Sequence, residues 1–399
     1  MYGFAGRLAH YFIDSKLTPI IILVSLALGL FAVITTPKEE EPQIVVPMID
    51  IMISYPGATP EEVERRVVAP LEKKLWELKD IEYIYSASME GMAVVTARFY
   101  VGTNPVKALV DLNTKMMSAM DLAPPGVILP PLIKPKSIDD VPILTLTLWG
   151  KNYDYYDLRR VAEALENEIK KVQNVADVFL VGGRPREISI ILDPNRLKAY
   201  GVSPMYIAQL IQTANSQAFG GKLVQGDKEY AIRTGDFLRS KTDVENIVVG
   251  IFQGRPVYLK DVAQVIDGPS EIKDYVLMGF GPKHQEKGIK DVKAGELYPS
   301  VSIAVSKRVG TNAVDVSREV LELVDHLKGK ILPKDLNITV TRNYGETAKE
   351  KADTLIKKLI IATFSVILLI AVALGVKEAI VVGIAVPVTL AIALFLSQV

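Results

Sequence analysis

Val101-Gly-Thr-Asn104 opens a helix-like run to Met120, and Val309-Gly-Thr-Asn312 opens a second to Lys328. The first block follows Leu78-Lys-Asp-Ile-Glu-Tyr-Ile-Tyr-Ser86; in the second copy the matching strand is Val172-Gln-Asn-Val-Ala-Asp-Val-Phe-Leu180. Each is a short apolar strand behind an amphipathic helix. A block recurring at the same place in such a pattern marks a duplicated supersecondary unit. Each unit must bury one face of its sheet under its own helices. Both copies lie between apolar spans, one near the N-terminus and two against the C-terminus, so the duplicated part hangs on one side of a membrane.

The apolar excess of the 399-residue chain, with 49% hydrophobic residues, is concentrated in those spans. Thr18 to Thr36 carries no charge and is long enough to cross most of a hydrocarbon core of about 30 Å. Leu359 to Val376 is a second uncharged span; after Lys377 and Glu378 a third begins at Ala379, and so short a turn forces an antiparallel helix pair. The first span exceeds a signal-peptide core and is followed by Pro37-Lys-Glu-Glu-Glu41 instead of a small-residue cleavage site. Arg7, Lys16 and Lys377 mark the cytoplasmic flanks, which puts Pro37 to Asp353 outside. The formal net charge of zero and the lack of a basic tract interleaved with aromatics exclude a nucleic-acid partner.

Within the external segment, Ile44 to Tyr55 predicts a strand stopped by Pro56-Gly57. Thr59 then caps a helix whose stripe is Val63, Val67, Leu71, Leu75 and Leu78, with a kink expected at Pro70. Strands 81–88 and 93–101, the Asn104-capped helix and a strand at 127–133 complete a βαββαβ unit. The second copy has strand 143–149, helix 154–171 with stripe Leu158, Val161, Leu165, Ile169 and Val172, and strand 175–181. After Gly182-Gly183 the pattern breaks until strand 301–306, so 183–269 is an insertion. It holds a strand at 186–192, a helix at 204–213 and a Gly-rich hairpin. The expected fold class is an α+β membrane protein: two ferredoxin-like split βαβ subdomains, one carrying an inserted subdomain, plus three transmembrane α-helices.

At this point the chain resembles the resistance-nodulation-division (RND) exporters, inner-membrane permease subunits of tripartite pumps. The resemblance is carried by Thr36-Pro-Lys-Glu-Glu-Glu-Pro42, by Ser54-Tyr-Pro-Gly-Ala-Thr-Pro-Glu-Glu-Val-Glu64, by Val175 to Gly182, and by Ala385-Val-Pro-Val388. It implies an N-terminal helix and first transmembrane helix at 1–37, and porter subdomains at 38–136 and at 137–182 with 270–345. A docking subdomain would occupy 183–269, with transmembrane helices at 346–376 and 379–399. It implies a homotrimer, a periplasmic adaptor (membrane fusion) protein and an outer-membrane channel as partners, residence in the inner membrane with a large periplasmic domain, and proton-driven antiport. The family's proton-relay carboxylates lie on a fourth helix that this chain lacks, so an N-terminal part of a longer pump is expected.

The resemblance also places site residues. The helix from Asn104, with Lys107, Asp111 and Lys115, would line a threefold axis. The hairpin bearing Gly220, Gly221, Gly226 and Asp227 would reach a neighbour. Val141, Phe179 and Val181 would border the substrate pathway, with Phe179 and Val181 sharing a face by strand alternation. Val141 and Val181 stand where drug exporters carry phenylalanine. Met89 with Met92, and Met116 with Met117 and Met120, invite a soft-metal reading, but core or interface packing is the expectation. His10, His284 and His326 are scattered, so no metal site or cofactor is expected. Glu39 to Glu41, Asp139-Asp140 and the charged loop 281–299 read as solvated surface. No Walker loop, GxGxxG, HExxH or GxSxG occurs, which leaves an ion gradient as the energy source and argues against an enzyme. The competing expectation is a membrane-tethered periplasmic binding or scaffold protein. Amphiphiles, lipids and metal ions all stay open as substrates.

Overall fold

The computed structural model describes residues 3, 11–13, 15–40, 44–289 and 292–398. Most of the N-terminal helix, with Arg7 and His10, and also Glu41, Pro42 and Val399, lie outside the described residues.

The first lobe is built on β1 (Met48–Ser54), β2 (Ile81–Met89), β3 (Met92–Phe99) and β4 (Ile128–Lys136), all antiparallel in the order β2-β3-β1-β4. Period-2 alternation decides its faces: Ile49, Ile51, Ile53, Val95, Ala97 and Phe99 point under the helices and are buried. Strand β1 begins only at Met48, because Pro47 supplies no ladder donor. Helix α2 runs through Pro60–Val63, Glu64–Val68 and Ala69–Leu75. Thr59 and Glu62 form its capping box, each side chain accepting from the other's backbone N–H. In place of the sharp kink expected at Pro70, the segment Glu64–Val68 is a π-turn. Widening the helix there relieves the clash between the proline ring and the preceding carbonyl. The extra residue turns both Val67 and Val68 into the core, where a plain α-helical stripe would have used one. Helix α3 (Pro105–Ser118) closes the lobe with Ala108, Leu112 and Met116 buried.

The second lobe repeats the arrangement. Strand β5 (Leu144–Trp149) leads through α4 (Tyr155–Ile169) to β6 (Val175–Val181). Chain from a later stretch supplies β14 (Leu297–Lys307), α9 (Ala313–Leu327) and β15 (Asn337–Asn343). The ladder order is β6-β14-β5-β15, the same split βαβ path, extended by the short β13 (Leu277–Gly279) against the start of β14. Leu144, Leu146, Leu148, Val301, Ile303 and Val305 meet Leu158, Leu165, Ile169, Val316, Val320 and Val324 in one core.

Between β6 and β13 lie β7 (Arg186–Leu192), α5 (Pro194–Tyr200), α6 (Pro204–Ala214), β8 (Ala218–Gln225), β9 (Lys228–Thr234), α7 (Lys241–Glu245), β10 (Val248–Phe252), β11 (Arg255–Tyr258), α8 (Leu259–Val262) and β12 (Ala263–Pro269). They have a core of their own around Leu197, Ile207, Val249 and Leu259. The way in, β7, and the way out, β12, pair antiparallel from Arg186↔Pro269 to Leu192↔Ala263, with Arg186 held by both oxygens of Asp267. A paired two-strand stalk therefore joins this unit to the second lobe.

Among the described residues three helices are long and apolar enough to cross a membrane: α1 (Leu17–Thr35), α10 (Tyr344–Ala373) and α11 (Val376–Gln398). The turn between the last two falls at Leu374–Gly375, ahead of the expected Lys377–Glu378. Gly375, at φ +117, breaks the helix, so Lys377 and Glu378 sit in the first turn of α11 and not in the connection. Strand β15 passes into α10 without a loop: Asn343 accepts from Glu346 N–H as the cap, and Tyr344 N–H donates to Ile143 O at 2.7 Å. Gly345 is seated on α9, where a Cβ would stand 2.6 Å from Ala313 O and 2.7 Å from Ser317 Oγ.

Helices α1 and α11 cross at Gly29, where a Cβ would collide with Ala391, its Cα at 2.6 Å. Gly383 faces Ile367 Cδ1 at 3.4 Å, an ordinary contact. Gly29→Ala is expected to cost about 1–3 kcal/mol through overpacking. Gly383→Ala should be neutral or stabilising by up to about 1 kcal/mol through helix propensity. Thermal unfolding of the two variants in detergent distinguishes these outcomes.

Candidate functional site

Four parts of the chain converge on Lys307, the last residue of β14. Its side chain is 6% exposed, its Nζ lies 2.8 Å from Glu39 Oε1 and 3.6 Å from Asp139 Oδ1, and both carboxylates are largely shielded. Glu39 comes from the segment leaving α1, and Asp139 from the linker between the lobes. Beside them Glu40 pairs with Lys351 of α10, which with Thr347 holds its carboxyl below the usual carboxylate range. Lys38 N–H donates to the Asn312 side chain at 3.4 Å. Glu39, Glu40 and Asp139, expected as solvated surface, are instead the half-buried acids of a clamp, while Asp140 is exposed as expected and Glu41 lies outside the described residues. In low dielectric an ammonium is tolerable only when its charge is matched this closely. A lone charge ending an otherwise uncharged strand, Val301 to Lys307, was the signal in the sequence. Val141 lines the small cavity here with Ile138, Ile143 and Tyr344, away from Phe179 and Val181.

Phe179 and Val181 share the open face of the second sheet and are 41% and 44% exposed. They lie opposite Ala304 and Ser302. Next to them runs a ladder of hydroxyls: Thr147 Oγ1 is 3.0 Å from Ser302 Oγ and 3.1 Å from Thr341 Oγ1, and Trp149 Nε1 donates to Thr339 Oγ1 at 2.9 Å. The Leu-Thr alternation of 144–148 encodes it, since every second residue of a strand faces the same way. In loop 281–299 the charged residues Lys283, Glu286, Lys293 and Glu296 are exposed as expected, while Ile289, Val292 and Tyr298 turn inwards. Phe280 and Tyr298 pack on Trp149 with ring centroids 4.7 and 5.1 Å away, and Ile289 and Val292 join them.

On α3, Asn104 accepts from Val106 N–H and Lys107 N–H, Lys107 is exposed and Asp111 is half-buried. Lys115 turns back onto Glu77, whose other oxygen takes Lys74 at 2.9 Å; Lys115 first and Lys74 second push the Glu77 carboxyl down to about 2. The bare side of the helix is Val106, Val110 and Met117, at 71%, 56% and 65% exposure. In the insertion, Gly226 and Asp227 form the tip of the β8–β9 hairpin, while Gly220 and Gly221 sit at a register shift between Phe219 and Gly221. Phe219, Leu223, Val224 and Tyr230 stand exposed along it. His284 Nδ1 contacts Ile289 O at 2.9 Å, and His326 faces Lys330. Met116 is core, as expected; Met89, Met92 and Met117 are not.

Two like-folded lobes above three apolar helices, the second carrying an insertion on a strand pair, are matched by a known family over nearly the whole chain. The pattern of the AcrB/AcrD/AcrF family covers residues 8–399. The chain belongs to this family of RND efflux transporters. This RND chain is 28% identical over 344 residues to the cation efflux system protein CusA of Escherichia coli K12, an alignment covering 83% of the chain and 30% of CusA. It is 25% identical over 378 residues to the multidrug resistance protein MdtC of Yersinia pestis, covering 92% of the chain and 35% of MdtC. The chain thus spans about a third of the length of these curated relatives.

Lys307→Met should destabilise the protein by roughly 3 kcal/mol, because it leaves two shielded carboxylates facing an apolar side chain. Adding Glu39→Gln and Asp139→Asn should recover part of that loss, as a multiple-mutant thermal or denaturant cycle will show. A second prediction concerns acid. A carboxyl whose folded pKa lies near 2, below its ordinary 4.5, adds stability that is present above about pH 4.5 and lost as pH falls towards 2. Carbon-13 NMR of labelled glutamate should find the Glu77 midpoint near 2, moving up in Lys115→Met.

Proposed function

We propose that the chain is the N-terminal half of a proton-motive-force-driven RND export subunit in the inner membrane, moving substrate from the periplasm or outer leaflet towards an outer-membrane channel. On this reading the lobes are porter subdomains, 38–136 and 137–182 with 270–345, facing the periplasm. The insertion 183–269 is the docking subdomain, and a periplasmic adaptor bridges to the channel.

The observation that carries the reading is the rigid passage from β15 into α10. A strand that continues into a membrane helix without a loop, with Gly345 seated on α9, transmits a tilt of that helix directly to the second lobe. The Lys307 clamp binds the exit of α1 and the inter-lobe linker to the same lobe, so both membrane stems act on one rigid part. Family membership supports a transporter over a tethered scaffold.

Homotrimer assembly is supported by the bare surfaces. Val106, Val110 and Met117 form an apolar row on α3 that none of the described residues covers. The hairpin of the insertion likewise exposes Phe219 and Val224, as a segment reaching a neighbour would. Phe179, Val181 and the hydroxyl ladder border the substrate passage, a less aromatic surface than a drug exporter uses.

Cysteines placed at Val106, Val110 and Met117 of the complete protein are expected to crosslink to trimers in native membranes. Crosslinks that stop at dimers, or none, would count against the assembly. Locking α10 to α9 with a disulfide at a pair of positions other than Gly345, where both Cβ atoms have room, should leave transport intact, because that contact moves as one body. Abolished transport in vesicles that keep their proton gradient would refute the rigid coupling.

A further inference from the structure

The helix side of the first lobe is not filled to its end. A cavity of about 70 Å³, open at one side, lies where α2, the C-terminal end of α3 and the segment 122–131 meet. Its floor is Ile53, Val67 and Met116, all buried, and its sides include Pro70, Leu71 and Met120. Well-packed interiors keep few voids larger than a water molecule, so the walls here are held apart. The π-turn Glu64–Val68 widens α2 at Arg66 and Val67, a feature frequent at functional sites. Across the opening, Pro124, Pro125, Pro130 and Pro131 stiffen the facing segment, which limits its collapse into the gap.

Charge in the wall is of one sign. Among the described residues its charged members are Arg66 and Lys74, both on α2. The Arg66 side chain makes no hydrogen bond or ion pair among the described residues; its charge is felt by Glu62, one turn earlier. Lys74 lies 2.9 Å from Glu77, whose other oxygen takes Lys115, so that acid is already satisfied and stands outside the wall. Asp121, next to Met120 in the chain, is exposed and also outside the wall. An apolar slot with an uncommitted guanidinium at its mouth is what remains.

From this geometry we infer that the cavity is a binding site for a small amphiphilic anion, a carboxylate carrying a short alkyl tail. A void of about 150 Å³ takes benzene, so one of about 70 Å³ takes a chain end of roughly three or four carbons. The carboxylate then stands at the mouth, where a guanidinium can offer it two parallel N–H donors. Apolar walls with a few convergent polar groups are the usual build of a small-molecule site. Both wall charges repel a cation, and a neutral solute leaves Arg66 without its partner. The site lies on the helix side of the first sheet, in a different lobe from Phe179 and Val181. It rests on this lobe alone and stands whether or not the chain belongs to an exporting trimer.

The test uses the complete protein in lipid nanodiscs, with empty nanodiscs as the reference for partitioning into lipid. Acetate, propionate, butyrate, pentanoate and hexanoate are titrated at pH 7 by ligand-observed NMR, beside pentanamide as the neutral analogue. Each methylene buried should tighten binding by about fourfold, and the gain should level off past pentanoate, when the cavity is full. Arg66→Gln should weaken pentanoate by more than about tenfold and remove its advantage over pentanamide. Arg65→Gln, which alters the neighbouring cation paired with Glu61 outside the wall, should bind as the unaltered protein does. Ala123→Leu places a side chain in the cavity and should abolish binding while the melting temperature holds. Affinity indifferent to tail length or to Arg66→Gln would overturn the assignment. So would the absence of saturable binding, the result expected if a neighbouring chain's side chain fills the cavity in the assembly.

Discussion

A buried ammonium dictates how this chain is held together. Lys307 ends the central strand of the second lobe, and its charge can stay there only because Glu39 and Asp139 are brought to it. One residue comes from the membrane stem and the other from the linker between the lobes. Satisfying a single desolvated charge thus fixes where α1 emerges and where the first lobe hands over to the second. The pair of Glu40 with Lys351 repeats the same logic one residue on and ties the stem to α10.

Around that anchor the two lobes solve the same problem with different residues. In both, a sheet of alternating side chains buries one face under two helices and leaves the other open. The open faces differ in chemistry. The first presents methionines, tyrosines and a cation set, with Asp50 shielded between Thr96 and Lys136. The second presents a hydroxyl ladder beside Phe179 and Val181. Because the helices already satisfy the cores, these faces are free to serve ligands or neighbouring subunits without cost to folding.

The same economy explains the bare row on α3 and the exposed hairpin. Each is apolar where a solitary soluble surface would be charged, and each lies on an element whose other side is well packed. Partners of matching shape would bury these surfaces, which fits a chain that spans about a third of its relatives' length.

Much of this was legible in the residues. Uncharged runs gave the membrane helices, period-2 and helical stripes gave the strands and helices of both lobes, and Asn104, Asp154 and Asn312 announced their helices by the need to cap free N–H groups. What local pattern could not reveal were partnerships across long separations. Glu39 and Asp139 look like any surface acids until Lys307 arrives, and Tyr298 looks like a loop residue until Trp149 lies beneath it. Nor does a proline announce that its helix will widen into a π-turn. Sequence by itself determined which faces are apolar and which segments can lie in lipid, since burial preference belongs to each residue. Only the tertiary structure decided which charges neutralise one another and which rings pack together, because those depend on distances set by the whole chain.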